Sequence, residues 1–147
     1  MASIRDSLLT TLVSRINAIS GITGQLRGSY QTLTQPVVGI VVPVGEDKRL
    51  ANNNTYDANY RCEVMIIVRQ EDAQADTDDS NPFRYLDRMI TEVEKVVHTP
   101  DSWGVSPDYT DVEITGHEVD EPTDENEYVA RLFITFTYRH DYQDPES

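Results

Sequence analysis

Apolar side chains recur every three or four residues in two segments of the chain, and this period predicts two amphipathic helices. The first helix is predicted to begin after Ser3 and to end before Gly21. The second is predicted within residues 81–98, where Ser80 or Asn81 can cap it and Pro82 suits the first helical position. The two apolar stripes are Ile4, Leu8, Leu12, Ile16 and Ile19, and Phe83, Leu86, Ile90, Val93 and Val97.

Four other segments alternate between apolar and polar side chains or are rich in β-branched residues, which predicts strands. They are residues 36–44, 60–70, 111–119 and 127–140. Pro36 and Pro43 indicate that the first strand lies at a sheet edge or carries a bulge. The polar segments 20–35 and 45–59 are predicted to be loops, with room for a short strand near Leu26–Leu33.

The predicted element order is α-β-β-α-β-β, which favours a single α+β domain. Paired strands with helices between them indicate an antiparallel or mixed sheet of about four or five strands, covered on one face by two main helices. A chain of 147 residues with 38% hydrophobic side chains can bury one core. We predict that the domain spans residues 1–140 and that 141–147 form a short polar tail.

The chain is strongly acidic, with a formal net charge of −14. Residues 1–69 hold 5 acidic and 7 basic side chains, whereas residues 70–147 hold 21 and 5. Such a surface repels phosphates, so gripping a duplex and binding an acidic membrane are both excluded as functions. The acidic excess therefore belongs entirely to the second half of the chain.

No catalytic, cofactor or metal site is predicted from the residue patterns. The acidic run at 76–81 spaces its carboxylates like a calcium loop, but Asn81 stands where the turn needs glycine. A second acidic group could serve a metal-dependent hydrolase, yet no base lies between Lys95 and Arg131. Both groups are predicted to be solvated surface. The second group consists of Glu113, Glu118, Asp120, Glu121, Asp124, Glu125 and Glu127.

The remaining reactive side chains favour ordinary structural roles. Cys62 is the single cysteine and cannot form an internal disulfide. His117 is predicted to be a surface histidine, and Trp103 is predicted to anchor the core in preference to an interface. Good secondary-structure patterns without a catalytic set indicate a structural or assembly protein, with no cofactor and no enzymatic activity.

Three stretches give the chain a family resemblance. The first is IRDSLLTTLVSRINAI followed by QPVVGIVVP, the second is YRCEVMIIVRQED followed by PFRYLDRMITEVEKVV, and the third is DVEITGHEVDEPTDENEYVARLFITFTYRHDYQDP. In pattern and order the chain resembles tail terminator (tail completion) proteins of tailed bacteriophages. The resemblance spans nearly the whole chain and includes no signature motif. The 45–59 segment has no match in that family.

The resemblance implies a homo-hexameric ring in the virion that caps the head-proximal end of the tail tube. Such a ring ends tube polymerisation and joins the tail to the head or neck, while genomic DNA passes through its lumen without specific binding. The implied partners are the tail tube protein, a neck or head-completion protein and, if the tail is contractile, a sheath protein. Assembly would take place in the host bacterial cytoplasm, with no membrane involved.

Two groups of residues are candidates for this role. We expect acids of two segments to face the channel or its rim, because repulsion would keep DNA from sticking. These acids are Glu71, Asp72, Asp76, Asp78, Asp79, Asp120, Glu121, Asp124 and Glu125. A loop that contacts a neighbouring subunit or partner is expected to contain Asp47, Lys48, Arg49 and Tyr56.

Three other functions stay open at this point. One is another phage neck or tail assembly protein, namely a stopper, an adaptor or a tube subunit. Another is a small metal-dependent hydrolase that uses the acidic cluster. The last is an acidic decoy that imitates DNA, which would need acids along one continuous face.

Overall fold

The computed structural model describes residues 3–27, 37–51, 54–69, 81–99, 103, 110–122 and 127–141. Its elements, in chain order, are two helices and five strands in the arrangement α-β-β-β-α-β-β. They are α1 (Ile4–Asn17), β1 (Ile22–Leu26), β2 (Val37–Leu50), β3 (Thr55–Arg69), α2 (Pro82–Val97), β4 (Thr110–Val119) and β5 (Glu127–Asp141).

The strands form one mixed sheet in the order β1-β2-β3-β5-β4. β1 runs parallel to β2, and every other neighbouring pair is antiparallel. The longest pairing joins β3 to β5, from Thr55 opposite Asp141 to Arg69 opposite Glu127. The mixed sheet and the two main helices confirm the predicted α+β class.

The core lies between the two helices and one face of the sheet. The alternation predicted for β3 and β5 is confirmed, since every second residue from Ala58 to Val68 and from Ala130 to His140 is buried on the helix side. The opposite face, here called the distal face, carries the intervening side chains. The buried positions on the helix side are Ala58, Tyr60, Cys62, Val64, Ile66, Val68, Ala130, Leu132, Ile134, Phe136 and Tyr138.

Both predicted helix starts are confirmed by their capping bonds. The Ser3 side chain accepts a hydrogen bond from the Asp6 backbone N–H at 3.1 Å. Asn81 Oδ1 accepts from the backbone N–H groups of Phe83 at 3.0 Å and Arg84 at 3.4 Å, with Pro82 at the first helical position. These bonds satisfy donors that a helix start leaves without an intrahelical acceptor.

Helix α1 lies close to the sheet because two glycines face each other beneath it. Gly24 of β1 and Gly39 of β2 are register partners, and a Cβ atom on either would lie about 3 Å from Ile16. The Asn17 side chain fixes the same place, since its Oδ1 accepts from the Gly24 N–H at 2.7 Å and its Nδ2 donates to the Gly24 carbonyl at 3.1 Å. The helix thus reaches the sheet backbone directly.

Trp103 is buried, which confirms its predicted place in the core. Its ring meets Phe136 edge to face at 4.8 Å between centroids, and the Arg15 guanidinium lies 3.8 Å from the ring centroid. Arg15 also donates to the Val96 carbonyl at 2.8 Å, at the end of α2. One arginine therefore connects both helices to the single tryptophan.

Three sequence predictions about element bounds are wrong. The 45–59 loop is absent, since β2 continues to Leu50 and β3 begins at Thr55, so most of that segment is paired strand. A five-residue strand, Ile22–Leu26, occupies part of the predicted 20–35 loop and adds a strand to the expected order. The helix predicted to include Ile19 and to be ended by Gly21 stops earlier, at Asn17. Gly21, with a φ of 88°, turns the chain toward β1.

Candidate assembly surfaces

The most distinctive surface is a three-stranded extension of the sheet, here called the β-arm. It consists of Gly45–Leu50 of β2, Thr55–Tyr60 of β3 and Phe136–Asp141 of β5. Tyr56 and Asp57 therefore lie on a strand that is paired on both sides. Polar residues form strands here because a continuous ladder satisfies the backbone groups of β3, and cross-strand side-chain pairs add to its stability.

A β-bulge decides which side chains of the β-arm face the helices. The register between β2 and β3 shifts between Pro43 and Gly45, so Val44 is the extra residue. Before the bulge Val41 is on the helix side, and after it Glu46, opposite Tyr60, takes that side. A one-residue shift exchanges the two faces of a strand, so Val44 is what turns Glu46 inward.

The inner end of the β-arm is anchored by the Glu46 carboxylate, whose side chain is only 8% exposed. Arg5 of α1 donates to Glu46 Oε1 at 2.8 Å, and the Tyr138 hydroxyl donates to Oε2. Lys48 Nζ lies 3.5 Å from Oε1. A buried carboxylate needs hydrogen-bond or ion-pair partners to offset its loss of hydration. Here Arg5 and Tyr138 are those partners, and they connect α1 and β5 to β2.

Aromatic rings extend from this anchor along the helix side of the β-arm. His140 is 3% exposed and lies between Tyr138 and Tyr56, with ring centroids 5.8 and 5.6 Å away. The pKa of the Tyr138 hydroxyl is well above its usual range. Burial is the largest cause, and the hydrogen bond to Glu46 is the second largest. Burial is also the main cause of the raised pKa of Tyr60. These hydroxyls therefore stay protonated in neutral solution.

The residues predicted as a contact loop all lie on the β-arm instead of a loop. Asp47 and Arg49 are on the distal face and exposed, and Arg61 Nη2 lies 3.6 Å from Asp47 Oδ2. Lys48 is exposed on the helix side, 6.0 Å from the centroid of the Tyr56 ring. They are thus held by strand pairing, which gives a partner a fixed surface. No observation tests their contact role, which stays a prediction.

The β-arm also presents apolar surface to solvent. Val44 is 55% exposed at the bulge and Leu50 is 51% exposed at the end of β2. Farther along the same sheet, Val119 at the end of β4 is 47% exposed. Single exposed apolar side chains are ordinary in proteins, but these three lie at strand edges, where another chain can pair.

The distal face of the sheet carries an apolar patch that includes two charged side chains, Glu63 and Arg131. Val38 and Val42 are buried there, and their neighbours on β3 and β5 are half-buried. Among the residues that the structure describes, no helix lies on this face. The apolar residues of the patch are Val38, Ile40, Val42, Met65, Ile67, Val129 and Phe133. Exposed apolar patches are typical of protein interfaces.

Two of the predicted channel acids, Asp120 and Glu121, are within the described residues, at the end of β4. Asp120 Oδ1 accepts from Arg131 Nη2 at 3.1 Å, and Glu118 Oε2 accepts from the same nitrogen at 2.9 Å. The hydrogen bond to Asp120 is the main cause of the raised pKa of Arg131. Glu121 is exposed. Asp120 thus holds a structural ion pair, while Glu121 lies at the surface.

The other predicted channel acids lie outside the described residues. They are Glu71, Asp72, Asp76, Asp78, Asp79, Asp124 and Glu125. The segment 76–80 considered as a calcium loop lies there as well. Within the described ranges, no group of three or more His, Cys, Asp or Glu side chains could hold a metal ion.

The remaining candidate side chains show no catalytic arrangement in the described part of the chain. Burial raises the pKa of the Cys62 thiol to about 12, which makes it a poor nucleophile at neutral pH. His117 is exposed, as predicted. An open surface depression follows the outer side of α2 and is lined by Phe83, Arg84, Asp87, Arg88, Thr91, Glu92 and Lys95. None of the helices described is long and apolar enough to cross a membrane.

No model of a known protein family matches this chain, and no curated protein matches it either.

Sequence reasoning missed the Glu46 anchor and the burial of His140. The burial of His140 could have been found, because it continues the alternation of Ala130, Leu132, Ile134, Phe136 and Tyr138 by one step. Glu46 gave no such signal, because its orientation depends on the bulge at Val44.

Proposed function

We propose that this chain is a structural subunit of a bacteriophage tail. It forms a hexameric ring that caps the head-proximal end of the tail tube, ends tube polymerisation and provides the surface that joins the tail to the head or neck. The observation that carries the proposal is the β-arm, a strand-paired extension with exposed apolar residues at its edge. We assign no enzymatic activity and no cofactor to the protein.

The β-arm suits assembly because it is ordered before a partner arrives. Glu46 binds Arg5 and Tyr138 within the same chain, so the inner end of the β-arm is fixed in the free subunit. Binding by a preorganised surface avoids the entropy cost of ordering a loop. The exposed side chains of Val44 and Leu50 would then gain burial in the ring.

The distal face offers a second surface for assembly. Its apolar patch contains two charged side chains, Glu63 between Val42 and Phe133 and Arg131 opposite Met65. Interfaces commonly combine apolar and charged side chains in this way. We assign this face to the partners expected at the two ends of the ring, namely the tail tube protein, a neck or head-completion protein and, in a contractile tail, a sheath protein.

The acidic excess fits passage of DNA through the ring. Residues 70–147 hold 21 acidic side chains against 5 basic ones. Basic groups would bind phosphates with release of counterions and hold the duplex, whereas acidic groups at the rim repel it. We assign Glu121 to that rim and expect Asp124 and Glu125 to share the role. The particle would assemble in the bacterial cytoplasm and remain in the virion.

Sedimentation of the purified protein at physiological salt tests the proposal. Six chains of 16.7 kDa give a particle of about 100 kDa. A hexamer supports the ring, whereas a monomer at all accessible concentrations contradicts it. A closed ring with another number of subunits would favour a neck adaptor or stopper, and unlimited polymers would favour a tube subunit.

A further inference from the structure

Two stretches of strand at opposite ends of the sheet have a free edge. β1 pairs with β2 only from Val37 to Val41, so residues 42–50 of β2 have β3 as their one strand neighbour within the described chain. At the other end of the sheet, β5 is the one strand that pairs with β4 among the residues that the structure describes. Free strand edges present backbone donors and acceptors that another strand can pair with.

The two free edges have nearly the same length, and each contains one β-bulge. Residues 42–50 make nine positions, and Thr110–Val119 makes ten. Each edge carries one bulge, between Pro43 and Gly45 in β2 and between Ile114 and Gly116 in β4. Two edges of nearly equal length can pair along their whole extent.

The directions of the strands fix how such a pair would run. β2 is antiparallel to β3, β3 is antiparallel to β5, and β5 is antiparallel to β4. β4 therefore runs opposite to β2, and a sheet that continues into a second copy keeps this antiparallel sense. In that arrangement the start of β4 lies opposite the far end of the β-arm, and the end of β4 lies opposite the bulge.

The charges agree with that arrangement. Asp111 and Glu113 at the start of β4 are exposed on the distal face, and β4 contains no Lys or Arg. Opposite them would lie Arg49, exposed on the same face. Asp47 is exposed on that face two positions away, so the register with opposite charges in contact is the one that sets Arg49 opposite Glu113 and Asp47 beyond both acids. Cross-strand pairs of opposite charge stabilise a sheet, and pairing β4 with a second β4 would instead bring acids together.

The exposed apolar residues of the two edges also favour antiparallel pairing. Val119 ends β4 with 47% of its surface exposed, and Val44 at the bulge is 55% exposed. Antiparallel pairing brings these two ends of the edges together, so both side chains could lose contact with water. Charge and apolar surface thus favour the same orientation.

We propose that subunits of this protein join head to tail by strand pairing, with the free β2 edge of the β-arm on one copy against β4 of the next copy. The inference rests on the proposed ring and identifies the contact that builds it. Because the two edges are at opposite ends of one sheet, every copy uses both, and such a contact closes into a ring or continues as a filament.

Charge reversal at the two edges tests the contact. One variant is Arg49→Glu, and the other combines Asp111→Lys with Glu113→Lys. All three side chains are exposed, so both variants should fold. Circular dichroism checks that they do. Arg84→Glu, exposed on α2 away from both edges, is a control with the same charge change as Arg49→Glu. The readout is the mass distribution over a dilution series.

We expect each edge variant to dissociate at a chain concentration at least about tenfold higher than the wild type, since like charges then meet at every contact. Arg84→Glu should behave as the wild type. An equimolar mixture of the two edge variants should recover the oligomer, because alternating copies restore opposite charges at both contacts.

Other outcomes overturn the inference. If both edge variants remain as oligomeric as the wild type, the ring stands but is built by another contact. If only the β4 variant dissociates, β4 pairs with itself. If both dissociate and the mixture does not recover, the two edges do not pair with each other. A monomeric wild type removes the ring and this contact together.

Discussion

Replacing Gly24 by alanine should loosen the packing of α1 on the sheet. A Cβ atom at this position would lie 2.9 Å from Ile16 Cγ2 and 2.9 Å from the Val13 carbonyl oxygen. Real Cβ atoms essentially never come so close, and one of the two neighbours is helix backbone that cannot rotate away. The helix must therefore move, which also strains the hydrogen bonds between Asn17 and Gly24.

Two opposing contributions set the size of the effect. Overpacking of a core by one methyl group costs about 1–3 kcal/mol. Alanine is favoured over glycine in a strand by about 0.5–1 kcal/mol, which offsets part of that cost. We therefore expect Gly24→Ala to lower the free energy of unfolding by about 1–2 kcal/mol, equivalent to a urea midpoint about 0.5–1 M lower.

Urea unfolding followed by tryptophan fluorescence suits this measurement. Trp103 is the single tryptophan, and it contacts Arg15 of α1, so its emission reports on the helix that should move. Every variant is measured at one chain concentration, since subunit association adds to apparent stability. Gly45→Ala is the matched control, because its Cβ would meet only the flexible Arg61 guanidinium, at 3.1 Å.

We expect Gly45→Ala to change the midpoint little or to raise it. If Gly24→Ala proves as stable as Gly45→Ala, the close approach of α1 to the sheet is not a constraint on this fold, and the packing argument is wrong.

The other predictions concern the anchor, the core and alkaline pH. Glu46→Ala leaves the buried Tyr138 hydroxyl without its acceptor and should cost about 1–3 kcal/mol in urea unfolding; an unchanged midpoint would mean that the anchor is not stabilising. Trp103→Ala removes the ring packed on Phe136 and should cost about 3–5 kcal/mol, measured by circular dichroism, whereas Trp103→Phe should cost less. Folding raises the pKa of Cys62 from 9.0 to about 12, so the unfolded chain loses that proton first and stability should fall as pH rises from 9 toward 12. In Cys62→Ala the loss of stability that begins near pH 9 should be absent. If the variant and the wild type have the same dependence of stability on pH, the thiol is not its cause.

Periodicity predicted those parts of the fold in which one side of an element is buried. The stripe from Ile4 to Ile16 and the alternation from Tyr60 to Val68 are consequences of burial, and both are confirmed. The prediction of a loop at 45–59 was wrong because the pairing there depends on residues far away in the sequence. Residues 45–50 are held by ladder bonds to β3, and residues 55–59 by ladder bonds to β5 and, from Tyr56 on, to β2 as well. Such long-range pairing leaves no local hydrophobic signal.

The predicted contact loop has a different secondary structure from the one expected. Asp47, Lys48, Arg49 and Tyr56 were expected on a loop, and the structure holds them on paired strands of the β-arm. The bulge at Val44 sets the face of each side chain, and a bulge depends on the partner strand as well as on local sequence. The orientation of Glu46 therefore could not be deduced from the residues around it.

The central claim is that this chain assembles into a closed ring of six subunits. Negative-stain imaging of the purified protein, with class averages calculated without imposed symmetry, tests it most directly. The account predicts end-on views with six-fold symmetry and a central opening. Uniform particles of single-subunit size, or open filaments without rings, would contradict it.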